Sequence, residues 1–325
     1  GALLGIEAFE SFVASDMFLP LAISAVVMTS FALLMSVTHL GKPLRFYRGF
    51  NNLRYSPMSR EGFGLAMFSA GAGLTALFAI PSNQFVNELS VDWLGLNLAE
   101  LTSGLPLASL VTGAGVFALI AGFGGLYYMN KCYQIKARPF WNHLQTATSF
   151  AGNSLSLGAF FSAIIVLSTL FVTDTASSVI VQASFIFGGV FTLGMIIEAL
   201  GLIKHNSDLN RNENEGGAAH YVQCTTFGKT YLLRNWLLGL NIVAATGLLI
   251  LSLVGFTDSL LLVAWFGLAL LNFFTAAIGR ALFYILIIPT TMPGAFFWKN
   301  KGFEQHARDI GLADNPATGV APLCH

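Results

Sequence analysis

The sequence predicts an all-α polytopic membrane protein, an eight-helix bundle with seven complete transmembrane helices behind the stub of a first. Three observations predict it. Apolar residues make up 55% of the 325 residues and charged ones only 10%, against about 25% charged in a soluble domain. So few charges cannot cover a soluble surface, and 29 Phe add to the burden. The apolar residues also fall in runs of about 20, the length of a membrane-crossing helix, rather than in the ten-residue alternation of barrel strands.

The elements follow in chain order. Residues 1–9 are mostly apolar, begin without Met and carry no basic leader; we read them as the end of a truncated first helix. Complete spans are expected at about 17–38, 62–81, 104–129, 148–172, 177–203, 234–255 and 258–288, all within a single transmembrane anchor domain. The last two are parted by a tight turn near Thr257-Asp258, and a tail covers 289–325. Small residues recur within spans, as in Ser69-Ala-Gly-Ala-Gly73 and Gly122-Phe-Gly-Gly125. In lipid they let helices approach closely, and no strand precedes them as a phosphate loop requires.

The charges orient these spans. Seven crossings place loops 39–61, 130–147 and 204–233 and the tail on one side. That side holds fifteen of the sixteen Lys and Arg; Arg280, inside the last span, is the sixteenth. The opposite side carries Glu7, Glu10, Asp16, Glu88, Asp92, Glu100, Asp174 and Asp258. The positive-inside rule makes the basic loops and the C-terminus cytoplasmic. The 204–233 segment reads as the longest polar loop, either a docking surface or simply solvated.

Several functions are excluded or disfavoured. Zero formal net charge argues against nucleic-acid binding. Cys132, Cys224 and Cys324 lie far apart, which speaks against a metal or iron–sulfur site built by this chain alone. His39, His143, His205, His220, His306 and His325 all fall outside the expected span interiors, so paired haem ligands are not expected. Glu198 and Arg280 are the ionisable residues within spans, and each is a functional candidate for that reason. Arg280 is equally a snorkelling anchor; Glu198 calls for a basic partner that the sequence does not identify.

The densest chemistry lies in the first basic loop, from His39-Leu-Gly-Lys-Pro-Leu-Arg45 to Ser59-Arg-Glu61. His39 ends one span and Glu61 begins the next, so both lie at one membrane face. An imidazole and a half-dry carboxylate at that depth suit the two protons released when a quinol is oxidised. Lys42, Arg45 and Arg60 could orient a ring oxygen or hold the carboxylate. A plainer reading stays open: His39 as a cation at a helix C-terminus, Ser59 and Glu61 as an N-cap with its first-turn acid, the arginines facing anionic lipid.

These two segments resemble the membrane anchor subunit family of dimethyl sulfoxide reductase (DmsC-type), related to the NrfD and polysulfide reductase anchors. The family pattern is His-Leu-Gly-x-Pro-x-Arg after one helix and Ser-x-Glu at the start of the next. Tyr127 to Trp141, with Tyr133 and Pro139-Phe-Trp141, and Gly279-Arg-Ala-Leu-Phe-Tyr284 echo later family segments. The resemblance implies eight helices in a bacterial inner membrane. It implies a subunit that oxidises menaquinol to menaquinone and passes electrons to an iron–sulfur partner, which feeds a molybdopterin catalytic subunit. It implies no haem or metal in this chain. His39, Arg45 and Glu61 match the family's quinol-site residues; Lys42, Arg60 and Arg280 are added here as cofactor-binding candidates. A secondary transporter and a purely structural anchor are the alternatives. Asn153, Asn241 and Asn272 are the polar candidates of a transport path, and equally residues that join helices.

Overall fold

The structure, a computed structural model, describes residues 17–38, 42–172, 177–211, 215–254 and 259–286, with 305, 308, 309 and 311 of the tail. The expected stub of a first helix and most of the tail lie outside the described residues. The described residues form ten α-helices: α1 Phe18–Thr38, α2 Pro57–Ala79, α3 Gln84–Leu94, α4 Leu98–Leu101, α5 Leu107–Tyr133, α6 Leu144–Val172, α7 Ser177–Arg211, α8 Glu215–Thr225, α9 Gly228–Leu253 and α10 Ser259–Ile285. Two 3-10 turns, Pro43–Phe50 and Ile80–Ser82, flank α2. There is no strand among the described residues. Among the described residues, seven helices are long and apolar enough to cross a membrane: α1, α2, α5, α6, α7, α9 and α10. The protein is thus a multi-pass helical membrane protein, with the seven complete spans the sequence predicts.

Two segments expected to be loops are largely helical. The 204–233 segment continues α7 to Arg211, forms α8, and begins α9 at Gly228. The apolar run ends where lipid would end, but a helix's hydrogen bonds lie within its own backbone and continue without lipid. The 82–103 segment forms α3 and α4. Asn83 caps α3 by accepting from Val86 N at 3.0 Å. Asn97 caps α4 by accepting from Glu100 N at 3.1 Å. Gly95, at φ 65°, ends α3 in the left-handed region that favours glycine.

The chain divides into two compact units, residues 1–129 with 162–180 and residues 130–161 with 181–325. In the first unit, Leu19, Ala76, Ala79 and Val111 form the core with Phe18, Ala22, Phe78, Ile80 and Val86. Here α2 and α5 touch through their small residues. A Cβ on Gly64 would lie 2.8 Å from the Gly125 backbone, and one on Gly71 would lie 2.9 Å from Ala118. On α1, Phe31, Leu34 and Met35 are exposed, as suits a lipid-facing helix.

The second unit has two apolar clusters, one around Phe160, Phe191, Met195 and Leu238, the other around Phe140, Trp141, Phe283 and Leu286. Two of the three amides act as joints. Asn272 donates to Ser156 Oγ at 3.2 Å, Asn241 to Thr275 Oγ1 at 3.2 Å and Asn153 to Ser149 Oγ at 3.3 Å. The first two tie α10 to α6 and to α9. These two bonds fit the helix-joining reading for Asn241 and Asn272, whereas the Asn153 bond stays within α6.

Candidate functional site

The first basic loop belongs to the first unit. His39 lies outside the described residues. From Lys42 the chain enters the Pro43–Phe50 turn, with Pro43 at its first position, where the missing N–H costs nothing. Arg45 N bonds Lys42 O at 3.0 Å. Lys42 and Arg45 are both exposed.

Helix α2 starts three residues earlier than the Ser59–Glu61 pattern suggests. Ser56, not Ser59, is the N-cap, accepting from Ser59 N at 3.3 Å. Pro57 takes the first helical position, which its fixed φ favours. Ser59 is buried in the first turn, and Glu61, half-buried, stands in the second turn. The Gly64–Gly125 approach comes one turn after Glu61 and fixes this end of α2 against α5.

Arg60 folds back on the loop. Its Nε donates to Leu53 O at 2.7 Å and its Nη2 to Arg54 O. The guanidinium also lies 5.2 Å from the Tyr128 ring centroid. Arg60 therefore braces the loop's backbone, which a sequence pattern does not reveal. Lys42, Arg45, Arg60 and Glu61 thus share one turn–helix segment. Arg280 belongs to the second unit. Its guanidinium sits 3.9 Å from the Phe150 ring centroid and 5.7 Å from that of Phe283, a stacked cation within an apolar setting.

In the second unit the two later motifs meet. Tyr133 and Tyr284 hydroxyls are 2.9 Å apart. Trp141 Nε1 donates to Phe283 O at 2.8 Å, and its ring stacks on that of Phe283 with centroids 5.1 Å apart. Gly279 gives Arg234 room, since a Cβ there would lie 3.3 Å from Arg234 Nε.

Arg234 is the partner that Glu198 calls for. Arg234 Nη2 donates to Glu198 Oε1 at 2.6 Å, joining α9 to α7. Glu198 is 2% exposed and Arg234 3%. Sequence reasoning put Arg234 at the edge of a loop, because the apolar run of α9 starts after it. The helix itself begins earlier, at Gly228, and carries Arg234 inside. The same displacement affects His205. It sits on α7 rather than in a loop, and is buried. Nearby, His143 Nε2 pairs with Asp208 Oδ2 at 2.9 Å, while His143 Nδ1 accepts from Gln145 N at 3.2 Å. An accepting Nδ1 puts the proton of a neutral ring on Nε2, which then donates to Asp208.

On α8, His220 Nδ1 lies 3.2 Å from Gln223 Oε1, and Nε2 lies 3.5 Å from Cys224 Sγ. Burial lowers the His220 pKa from the ordinary 6.5, against a smaller opposing effect of the Gln223 hydrogen bond. Burial likewise raises the Cys224 thiol pKa. No group of three or more His, Cys, Asp or Glu among the described residues is arranged to hold a metal ion.

The model of the DMSO reductase anchor subunit (DmsC) family matches residues 8–286, from the first apolar segment to the end of α10. The chain belongs to the DmsC family. No curated protein and no solved structure matches it. Membership makes the protein a membrane anchor subunit of the DMSO reductase type, and implies association with the catalytic and iron–sulfur subunits of such a complex.

Proposed function

We propose that this anchor is also the quinol-oxidising subunit of its complex. In this reading it takes electrons from menaquinol in a bacterial inner membrane and passes them to the iron–sulfur partner, which feeds a molybdopterin subunit in anaerobic respiration. The observation that carries the reading is the basic turn of Lys42 and Arg45 leading into α2, with a half-buried carboxylate, Glu61, in its second turn.

The chemistry needs two proton acceptors. Oxidation of a quinol releases two electrons and two protons and leaves a quinone. Glu61 and His39 are the acceptors, one carboxylate and one imidazole from the ends of adjacent spans. The electrons pass to the partner's cluster, so no redox group is needed in this chain. Arg45 and Lys42 orient the ring oxygens and favour the anionic form that develops as protons leave. Arg60 holds the loop's backbone in shape. Arg280, stacked on Phe150, is the weaker candidate for contact with the ring. The basic loops, including this site, face the cytoplasm.

The test is menaquinol-analogue oxidation by the purified complex, comparing wild type with His39→Ala and Glu61→Gln, with subunit assembly checked in each. Loss of about a hundredfold or more in assembled complexes is expected if both are proton acceptors. Full activity in both variants sinks the proposal and leaves a structural anchor or a transporter.

A further inference from the structure

The second unit contains a small cavity bordered by His205, Arg234, Gln145, Gln223, Phe140 and Phe283. His205 is 1% exposed, and neither of its ring nitrogens has a protein hydrogen-bond partner; Arg234 Nε is likewise buried and unpartnered. All three atoms belong to residues lining this one cavity. Buried polar atoms are rarely left unsatisfied, because each forfeits its hydration. A neutral imidazole offers one donor and one acceptor, and Arg Nε offers a donor. That set fits a molecule that both donates and accepts. The cavity measures about 20 Å3, room for water and not for a larger ligand.

We propose that the cavity is a binding site for internal water, held by His205 and Arg234 Nε, and that the His143–Asp208 pair closes it from the surface. The His143 ring packs edge-on against His205 with centroids 4.7 Å apart. Its Nε2 reaches Asp208, whose side chain is 44% exposed, while that of His143 is 14% exposed. The pair thus runs from the ring of His205, a lining residue, to solvent. The Phe140 ring also meets the His205 ring at a steep angle, with centroids 5.0 Å apart, and offers its nitrogens no hydrogen-bond partner, which leaves water for that role. The water completes the hydrogen bonding of Arg234, whose Nη2 is already held by Glu198. The site is independent of the first-loop quinol reading, since every residue in it belongs to the second unit.

X-ray radiolytic hydroxyl-radical labelling of the intact complex in nanodiscs tests this, because bound water converts to radical in place and marks its neighbours. Phe140 and Phe283 line the cavity; Phe160 and Phe191 are comparably buried in the other apolar cluster. The cavity residues should label several-fold faster than Phe160 and Phe191, and His205→Phe should remove the difference. Equal labelling in the wild-type complex overturns the site, whatever the variant does. Exchange of the incorporated oxygen after mixing with 18O water reads the closure. Asp208→Asn should accelerate that exchange several-fold, and an unchanged rate overturns the role of the pair.

Discussion

Glu198 and Arg234 are each almost fully buried, so neither can lose its partner cheaply. Two ions taken from water are compensated only by one another and by good geometry, and the 2.6 Å contact supplies it. Glu198→Gln or Arg234→Met alone should cost about 3–5 kcal/mol, because each leaves an unpaired buried partner. The double variant Glu198→Gln with Arg234→Met should recover part of that loss, since no ion is left behind. Thermal midpoints of the detergent-solubilised complex measure both, and single variants as stable as wild type would contradict the pairing. His220 gives a second effect at the same scale. Its folded pKa is lowered by burial, so the unfolded chain binds more protons below the ordinary value of 6.5. Its contribution to stability is therefore complete above that value and is lost as the pH falls below it. Midpoints should drop between about pH 7 and about pH 5, with a shallower slope in His220→Gln; an unchanged slope would show that His220 protonates freely in the folded chain.

At the level of helices, glycine decides where backbones meet. A Cβ on Gly194 would lie 2.6 Å from Gly152 O and 2.7 Å from Ser156 N, so α6 and α7 would have to separate. Gly194→Ala should therefore destabilise by about 1–3 kcal/mol. Gly158 and Gly189 lie on the same two helices with nothing within 4 Å. Alanine at either should be neutral, or stabilise by up to about 1 kcal/mol through helix propensity. Expression and thermal midpoint of the three variants separate packing from propensity. The sequence shows that such glycines serve packing, since they recur in apolar runs, but not which ones face another backbone. It also hides helix ends. Apolar runs mark the part of a helix that lipid touches, while Ser56, Pro57 and the polar turns of α7 and α9 belong to helix chemistry that needs no lipid. That is why Arg234 and His205 read as loop residues, and why the Glu198 partner was not legible. The placing of Glu61 near the start of α2, just after a basic turn, is a local pattern and survives a three-residue error in the helix start.

Across the whole molecule, the seven spans were legible because lipid imposes one length and one composition on every crossing. Charge adds orientation. Fourteen Lys and Arg fall on one side of the seven crossings, Arg234 lies inside α9 and Arg280 within α10, while the other side carries acids. A single missing or extra crossing would mix the two sets, so the separation favours a cytoplasmic location for the 42–56 segment and an external one for α3 and α4. Single cysteines at Asn52 and Gly104, in a chain whose own cysteines are replaced by serine, test this directly. Both positions are exposed, and a Cβ at Gly104 meets nothing within 4 Å. A membrane-impermeant maleimide applied to spheroplasts should label Gly104→Cys and reach Asn52→Cys only after lysis. The reverse pattern would put the basic loop, and with it the proposed proton acceptors, on the outer face. Protons from the quinol would then be released outside rather than into the cytoplasm, and the partner subunits would have to dock there too.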